Sequence, residues 1–324
     1  MTYRINTILR GGINMSTFSR RAPKGILGFP VAPMDAEGKL DLHALGENIE
    51  FLIDNGLKSV FVACGAGELH AISNEEYRAM VEVAAEKTKG KVPLYTGVGG
   101  NITYALEQAQ ISKELGAEGY LILPPYLIDP SQDGIYNYLS KIIESTNLNA
   151  IVYQRDNCVL EPKTLQKLCE IPQLVGYKDG LGDMELNVEL THLIGDRLEW
   201  INGMPLAEVT MASYVNLGFT SYSSAISNYI PHISAKYYDA LLKGNDEVVH
   251  ELYEEVIFPI HRIRKQKKGY AVSLIKAGMQ IVGLPVTTNV RAPIAPVEEG
   301  HYEELKSIIN NALAKYPTHA KAIN

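Results

Sequence analysis

Short apolar segments alternate with longer amphipathic segments along most of this chain. Apolar residues in the longer segments recur at three- and four-residue spacing, as Leu42, Leu45 and Ile49 do in the first of them, which predicts helices. The short segments have the length and composition of buried strands. We predict strands at residues 26–31, 59–64, 92–98, 119–124, 149–154, 174–178, 198–203 and 218–224.

The termini of several predicted helices carry capping residues. Ser73 precedes the segment NEEYRAMVEVAAE and Glu76 follows three positions later, the arrangement in which each side chain accepts a hydrogen bond from the other residue's backbone amide. Gly56, Gly116 and Gly195 each follow the last periodic residue of a predicted helix. A residue in the left-handed conformation is favoured there, so these glycines predict helix ends.

The alternation of eight strands with helices predicts a parallel sheet, because the crossover helices then cover its faces. We therefore predict an α/β fold, a (β/α)8 TIM barrel with a C-terminal helical appendage. A doubly wound sheet that binds a dinucleotide would need a glycine-rich turn after the first strand, and residues 28–38 contain none. The stretch TGVGGN at 96–101 lacks the G-x-G-x-x-G spacing.

Further helical segments follow the eighth predicted strand, at 231–243, 246–266, 270–282 and 298–315. The first of them completes the barrel. The predicted organisation is an N-terminal extension at 1–24, a barrel at 25–243 and a C-terminal helical region at 244–324. The extension contains a second methionine, Met15, which is an alternative start of the native protein.

Composition narrows the classes of partner. The formal charge is −7, with acidic and basic residues interspersed, so no nucleic-acid partner is expected and the basic stretch HRIRKQKK at 261–268 is interpreted as a solvated helix end. Three cysteines without a C-x-x-C pair argue against a disulfide framework and a zinc site and are typical of a cytoplasmic protein. No apolar run reaches the ~18 residues of a membrane span, so no membrane partner is expected.

The C-terminal ends of barrel strands are where TIM-barrel enzymes place their chemistry. Lys178 ends the predicted sixth strand in the stretch LVGYKDG, and Tyr153 lies near the end of the fifth. A lysine inside a barrel loses hydration, which favours the neutral, nucleophilic amine and predicts a Schiff base, with Tyr153 moving protons. The alternative is an outward-facing Lys178 paired with Asp179. Both interpretations stand on position alone.

Residues 63–70, ACGAGELH, form the predicted turn after the second strand. Exposed backbone amides at Gly65 and Ala66 can bind a carboxylate, although a simple tight turn explains the same residues. Glu68 is expected to be a structural hydrogen-bond partner rather than a general base. No H-E-x-x-H motif or other cluster of metal ligands lies at the strand ends, so no metal is expected. Cys64 has no evident histidine partner that would make it a nucleophile.

Several motifs resemble the dihydrodipicolinate synthase/N-acetylneuraminate lyase superfamily over nearly the whole chain from residue 25. They are FPVAP (29–33), GAGE (65–68), VYQRDN (152–157), GYKDG (176–180), YSSAISNYIP (222–231) and GYAVSLIKAG (269–278). Within the superfamily, the last three motifs and VRAPIAP look most like the 5-dehydro-4-deoxyglucarate dehydratases. The resemblance implies that Lys178 forms the Schiff base and that Tyr153 shuttles protons.

The chain departs from the synthases of that superfamily at three places. Gly65 and Ala66 replace two threonines of the carboxylate-binding turn G-T-T-G-E, and Leu127 replaces the second of two tyrosines that reach toward a neighbouring subunit. Cys158 replaces the arginine that receives the second substrate's carboxylate. These losses favour the dehydratase branch. They leave the distal carboxylate of the substrate without an obvious partner, and the candidates are Arg155, Ser223 and Ser224.

The resemblance implies a specific reaction. A dehydratase of this branch converts 5-dehydro-4-deoxy-D-glucarate to 2,5-dioxopentanoate, carbon dioxide and water through a lysine Schiff base, without a cofactor. A retro-aldol lyase of a 2-keto-3-deoxy sugar acid, a dihydrodipicolinate synthase-like enzyme and a non-catalytic barrel that binds keto acids remain alternatives. The expected partner is a small keto-sugar acid, and the resemblance implies a homo-oligomer, a tetramer or a dimer.

Overall fold

The computed structural model describes residues 20–317, and its centre is a barrel of eight parallel strands. The strands are β1 Gly25–Leu27, β2 Val60–Val62, β3 Leu94–Gly100, β4 Gly119–Pro125, β5 Asn149–Gln154, β6 Leu174–Asp179, β7 Glu199–Asn202 and β8 Ser221–Ser223. Neighbours in the sheet follow the order β1-β8-β7-β6-β5-β4-β3-β2. A parallel bridge between Gly28 and Val60 joins β1 to β2 and completes the barrel. The predicted TIM barrel is confirmed, and all eight predicted strands are present.

Eight helices follow the eight strands and cover the outside of the barrel. They are α1 Leu42–Asp54, α2 Asn74–Thr88, α3 Ile102–Glu114, α4 Gln132–Ile143, α5 Pro162–Leu168, α6 Met184–Ile194, α7 Glu208–Val215 and α8 Pro231–Leu242. The capping box at the start of α2 is confirmed, because the side chains of Ser73 and Glu76 each accept the other's backbone amide. Gly56, beyond the end of α1, has a φ of +88°, a conformation that glycine adopts without strain.

Four further helices form the C-terminal region, α9 Asp246–Leu252, α10 Phe258–Lys265, α11 Tyr270–Ile281 and α12 Glu299–Lys315. The single helix predicted at 246–266 is wrong in detail, since a π-helical turn at Tyr253–Ile257 separates α9 from α10. Pro259 is the second residue after that turn, it lacks a backbone N–H, and a proline ring crowds the preceding turn of helix. The chain therefore widens there, and the amide of Phe258 bonds the carbonyl of Tyr253.

The interior of the barrel is filled by large apolar side chains. The rings of Phe29, Phe61 and Tyr95 stack in sequence, with centroids 4.7 and 4.9 Å apart. Ala22, in the part of the predicted extension that the structure describes, is buried in the same cluster, whereas Met1 and Met15 lie outside the described residues. The barrel is thus a packed core, and its open end near Phe29 is where reactive side chains remain accessible. Among residues 20–317, no helix has the length and apolar character needed to cross a membrane.

Candidate active site

Lys178 lies at the end of β6 with its side chain inside the barrel. Successive residues of a strand point to opposite faces, so Lys178 and Asp179 face different sides of the sheet. The sheet register places Lys178 beside Tyr153 on β5 and Ile201 on β7. Only 6% of the Lys178 surface is exposed. The side chain is therefore held in the barrel rather than in solvent.

Asp179 is occupied by partners on the other side of the sheet. Its carboxylate accepts hydrogen bonds from Asn187 Nδ2 at 2.7 Å, from the Tyr214 hydroxyl at 2.5 Å and from two backbone amides of the turn that follows. Among residues 20–317, no carboxylate lies within ion-pair distance of Lys178. The predicted alternative, an outward-facing pair of Lys178 with Asp179, is wrong.

The amine of Lys178 lies between two aromatic rings. Its Nζ is 4.1 Å from the centroid of the Tyr153 ring and 4.6 Å from that of Phe29. Burial lowers the pKa of Lys178 from its ordinary value, Tyr153 and Cys64 oppose that shift, and the positive charge of Arg155 adds to it. The neutral amine, which is the nucleophile toward a ketone, is accordingly favoured at a lower pH than in a free lysine.

The Tyr153 hydroxyl is fixed beside that amine. It donates a hydrogen bond to the carbonyl of Gly203 at 3.0 Å and accepts one from Arg155 Nη1 at 3.1 Å. Gly203 leaves room for the lysine, because a Cβ at this position would come within 2.7 Å of Lys178 Cε and Cγ. A positioned hydroxyl next to a buried amine can move protons to and from a bound substrate.

The turn after β2 offers free backbone donors. The amides of Gly65, Ala66 and Gly67 form no hydrogen bond within the described part of the chain. Non-glycine residues with positive φ bracket them, Ala63 at +53° and Glu68 at +51°, so the turn is held in a strained conformation that is often found at functional sites. Such a run of free amides can bind a carboxylate.

Packing constrains the same turn and brings it close to the cluster that contains Tyr153. A Cβ on Gly67 would come within 2.8 Å of Ala63 Cα, whereas a Cβ on Gly65 would meet nothing within 4 Å. Ala66 packs against the barrel-interior cluster that contains Tyr153. The free amides therefore lie at the same end of the barrel as Lys178.

Glu68 is a structural residue, as expected from the sequence. It is fully buried, its carboxylate lies 2.6 Å from Lys276 Nζ on α11, and it accepts the backbone amide of Arg291 at 2.9 Å. Lys276 also donates to the carbonyl of Asn289 at 2.6 Å. The sequence motif around Lys276 did not indicate this ion pair, which joins the C-terminal region to the turn after β2.

The two serines proposed from the sequence have different surroundings. Ser223 ends β8 and is half-buried. Ser224 is buried, donates a hydrogen bond to the carboxyl group of Glu208 at 2.5 Å and accepts the amide of Ser227 at 3.0 Å. Ser234 donates to the same Glu208 oxygen at 3.0 Å. Of the two hydroxyls, the one on Ser223 is free to face a ligand, and a role for either in binding stays a prediction.

Glu208 gives a testable dependence of stability on pH. Burial raises its pKa above the ordinary value of 4.5, although Ser224 and Ser234 oppose the shift. A raised folded-state pKa contributes stability in full below the unfolded-state pKa, and this contribution is lost as pH rises through the folded-state pKa. Glu208→Gln should lack this dependence on pH. As pH rises, the native protein should therefore lose up to about 1.4 kcal/mol of unfolding free energy per pH unit relative to the variant.

Urea unfolding of both proteins at several pH values from about 4.5 to about 8 measures this difference. Glu185→Gln, at an exposed position on α6, removes a charge without removing a buried group and serves as the control. A stability difference between Glu208→Gln and the native protein that stays constant with pH would show that Glu208 is not a buried neutral acid.

Cysteine and metal chemistry receive no support from the geometry. Cys64 lies in the barrel interior, and burial raises the pKa of its thiol to about 12 although Lys178 opposes the shift. A thiol in this state is a poor nucleophile. Within residues 20–317, no group of three or more His, Cys, Asp and Glu side chains is arranged to hold a metal ion.

The basic stretch at 261–268 is not wholly a solvated helix end. Arg262 and Lys265 on α10 are exposed, but Ile263 is buried, and His261 and Arg264 are half-buried. The surface interpretation is thus wrong for Arg264, because one face of α10 packs inward and carries this side chain with it. Runs of charge in a sequence do not reveal which residues share the inner face of a helix.

Comparisons with known proteins agree with this geometry. The model of the family described as Dihydrodipicolinate synthetase family matches residues 22–312. A protein of Bacillus licheniformis, named probable 5-dehydro-4-deoxyglucarate dehydratase, is 62% identical over 94% of this chain and 99% of its own length. A Bacillus subtilis protein with the same name is 59% identical over 94% and 99%. The crystal structure of dihydrodipicolinate synthase from Oceanobacillus iheyensis has a TM-score of 0.82 and 24% identity, covering 93% of this chain and 98% of that one, which shows the shared fold.

Proposed function

This chain belongs to the dihydrodipicolinate synthetase family, and on that premise we propose that it is a lyase, a decarboxylating dehydratase. Its reaction converts 5-dehydro-4-deoxy-D-glucarate to 2,5-dioxopentanoate, carbon dioxide and water. The observation that carries the proposal is Lys178, a buried amine against the Tyr153 ring with no carboxylate partner among the described residues. The name of the relatives with the highest reported identity supports the choice of substrate.

The first half of the proposed reaction forms an imine and removes water. Lys178 attacks the ketone of the substrate, and loss of water from the carbinolamine gives a protonated imine. The imine acidifies the neighbouring methylene, and removal of one of its protons gives an enamine. The enamine expels the β-hydroxyl, which leaves as water after protonation. Tyr153 is the proposed proton carrier, because its hydroxyl is fixed next to the amine.

The second half releases carbon dioxide. The conjugated iminium left by dehydration accepts the electron pair of the bond to the distal carboxylate, which leaves as CO₂. Tautomerisation of the resulting enol and hydrolysis of the imine yield 2,5-dioxopentanoate and free Lys178. The same iminium nitrogen accepts electrons in both eliminations, so the proposed reaction needs no further electron sink.

Substrate binding is assigned to the groups around the amine. The free amides of Gly65 and Ala66 are proposed to bind the carboxylate next to the ketone, in place of the threonines found in the synthases. Arg155 and the Ser223 hydroxyl are proposed to contact the distal half of the substrate, with Ser224 supporting that wall of the site through Glu208.

Product analysis tests this proposal. The purified protein incubated with 5-dehydro-4-deoxyglucarate should release CO₂ and 2,5-dioxopentanoate in equal amounts. Release of pyruvate in a coupled assay would instead assign a retro-aldol lyase. Turnover of neither kind, together with no imine at Lys178, would overturn the enzymatic interpretation.

We also propose that the chain forms a homo-oligomer, a dimer or a tetramer. The loop after β4 exposes three apolar side chains, Tyr126 at 76%, Leu127 at 81% and Ile128 at 64%. Adjacent exposed apolar residues are typical of a protein–protein contact. The mass in solution, measured by light scattering, should be a multiple of that of one chain, and a monomer at all concentrations would refute the proposal.

A further inference from the structure

Arg264 is a half-buried cation that forms no hydrogen bond or ion pair with the described residues. It lies on α10, next to the buried Ile263, and its Nε atom is buried with no hydrogen-bond partner among residues 20–317. It takes part in none of the ion pairs formed by those residues. The side chain keeps part of its surface in solvent, where a ligand can reach it, whereas the buried Nε has lost its hydration without gaining a partner among these residues, which is costly.

The side chain of Arg264 lies within electrostatic range of the proposed active site. Burial lowers the pKa of Arg264, the positive charge of Arg155 lowers it further, and Tyr153 opposes the shift. Arg155 in turn donates to the Tyr153 hydroxyl at 3.1 Å. Two guanidinium groups from different parts of the chain thus act on each other beside the tyrosine that adjoins Lys178.

A second unpartnered atom lies on the same face of α10. His261 precedes Arg264 by three positions, a spacing that places both side chains on one side of the helix. Its Nδ1 is buried and also lacks a hydrogen-bond partner among the described residues. Two mutually repelling guanidinium groups beside the unpaired Nε–H of Arg264 form a site that an anion would complete.

We propose that Arg264, together with Arg155, binds the distal carboxylate of a 2-oxo dicarboxylate substrate. This inference rests on the proposed function, because it names the group that recognises the second carboxylate of the same substrate. The C-terminal region then supplies part of the active site, and Arg264 determines specificity for dicarboxylates over monocarboxylates. The synthases bind the carboxylate of their second substrate with an arginine at the position that Cys158 occupies here, so in this chain another residue must take that role.

The contribution of Arg264 should fall mainly on KM. The distal carboxylate is charged in the bound substrate and becomes neutral CO₂ in the course of the reaction. An ion pair with it is strongest in the ground state, so it contributes to binding more than to the chemical step. Loss of Arg264 is therefore expected to raise KM for 5-dehydro-4-deoxyglucarate by about 10- to 100-fold, with a smaller change in kcat.

Two six-carbon ligands allow the effect of the distal carboxylate on binding to be measured without the later chemical steps. 2-Oxoadipate has a ketone beside one carboxylate and a second carboxylate at the far end, whereas 2-oxohexanoate lacks the second carboxylate. Neither has a hydroxyl to eliminate, so both stop at the imine. Borohydride trapping at Lys178 over a range of ligand concentrations gives the affinity of each. The native protein should bind 2-oxoadipate about 10- to 100-fold more tightly than 2-oxohexanoate.

Three variants test whether Arg264 produces this preference. Arg264→Gln should reduce the ratio of the two affinities to near one while leaving trapping of 2-oxohexanoate unchanged. Arg264→Lys, which keeps the charge but loses the planar fork, should retain an intermediate ratio and decides the matter if the glutamine variant does not fold. Arg262→Gln removes an exposed arginine two positions away on the same helix and should behave as the native protein does.

The outcomes separate this inference from the proposed function. A native preference for 2-oxoadipate that Arg264→Gln removes supports the carboxylate site even if 5-dehydro-4-deoxyglucarate is not turned over, in which case only the proposed reaction fails. Turnover of that substrate with an unchanged KM and an unchanged affinity ratio in Arg264→Gln would overturn the inference and leave the dehydratase proposal standing.

Discussion

Replacement of Lys178 by alanine should abolish catalysis, lowering kcat by roughly 10⁴-fold or more, since losses of this order follow removal of a nucleophile in other enzymes. The physical reason is that both proposed eliminations deliver electrons to the imine nitrogen, and without Lys178 there is no such acceptor. The same substitution should eliminate the borohydride-reduced adduct. Mass spectrometry of the proteolysed protein, after incubation with substrate and borohydride, locates the adduct and measures its yield.

The control for Lys178→Ala is Lys163→Ala, at an exposed position on α5. It should keep full activity and a full yield of adduct. Far-UV circular dichroism and urea unfolding establish that the inactive variant is folded. An adduct that persists in Lys178→Ala, or one that maps to another lysine in the native protein, would contradict the assignment.

Much of the barrel and the proximity of Lys178 to Tyr153 were predictable from local patterns. Eight apolar segments separated by amphipathic ones specify a parallel barrel, because each strand must be covered on both faces. The ends of parallel strands then meet at one end of the barrel, which brings Lys178 to Tyr153 although 25 positions separate them in the printed sequence. Sequence position alone did not show whether the Lys178 side chain points into the barrel. That depends on the hydrogen bonds that hold Asp179 on the opposite face of the sheet.

Contacts over long sequence separations were not predictable in this way. The ion pair between Glu68 and Lys276 joins residues 208 positions apart, and neither the turn nor the helix has a local pattern that indicates the other. The inner face of α10 was missed because Arg264 lies in a run of exposed cations. Periodicity identifies a helical face from apolar residues, so a cation that turns inward next to Ile263 escapes it.

The hydroxyl network around Ser224 illustrates a related limit. Motif similarity indicates that the residues after β8 belong to the site, but it does not reveal which hydroxyls are already engaged. Ser224 donates to the buried carboxyl group of Glu208 on α7. The sequence around Glu208 does not indicate that this acidic side chain is buried. Ser223, one position earlier, alternates to the other face of the strand. The distinction between them required the packing of β8 against α7 and α8.

Tyr153→Phe should lower kcat by about 10²- to 10⁴-fold, the range typical of losing a general acid–base group. Phenylalanine keeps the aromatic ring that lies 4.1 Å from Lys178 Nζ, so the packing and burial that favour the neutral amine should persist. Only the hydroxyl is removed, with its hydrogen bonds to the Gly203 carbonyl and to Arg155. Imine formation and breakdown, which both need proton transfer, should slow together.

The measurement that separates a catalytic role from a structural one is the rate of imine trapping set beside stability. Loss of these two hydrogen bonds should cost about 1 kcal/mol of unfolding free energy each, which leaves the variant folded and Lys178 in place. Tyr104→Phe, at a position on α3 that is 56% exposed, is the matched control and should match the native rate. If Tyr153→Phe forms and releases the imine as fast as the native protein, the hydroxyl is not the proton carrier, and another group such as the Ser223 hydroxyl or the substrate's own carboxylate must take over that role.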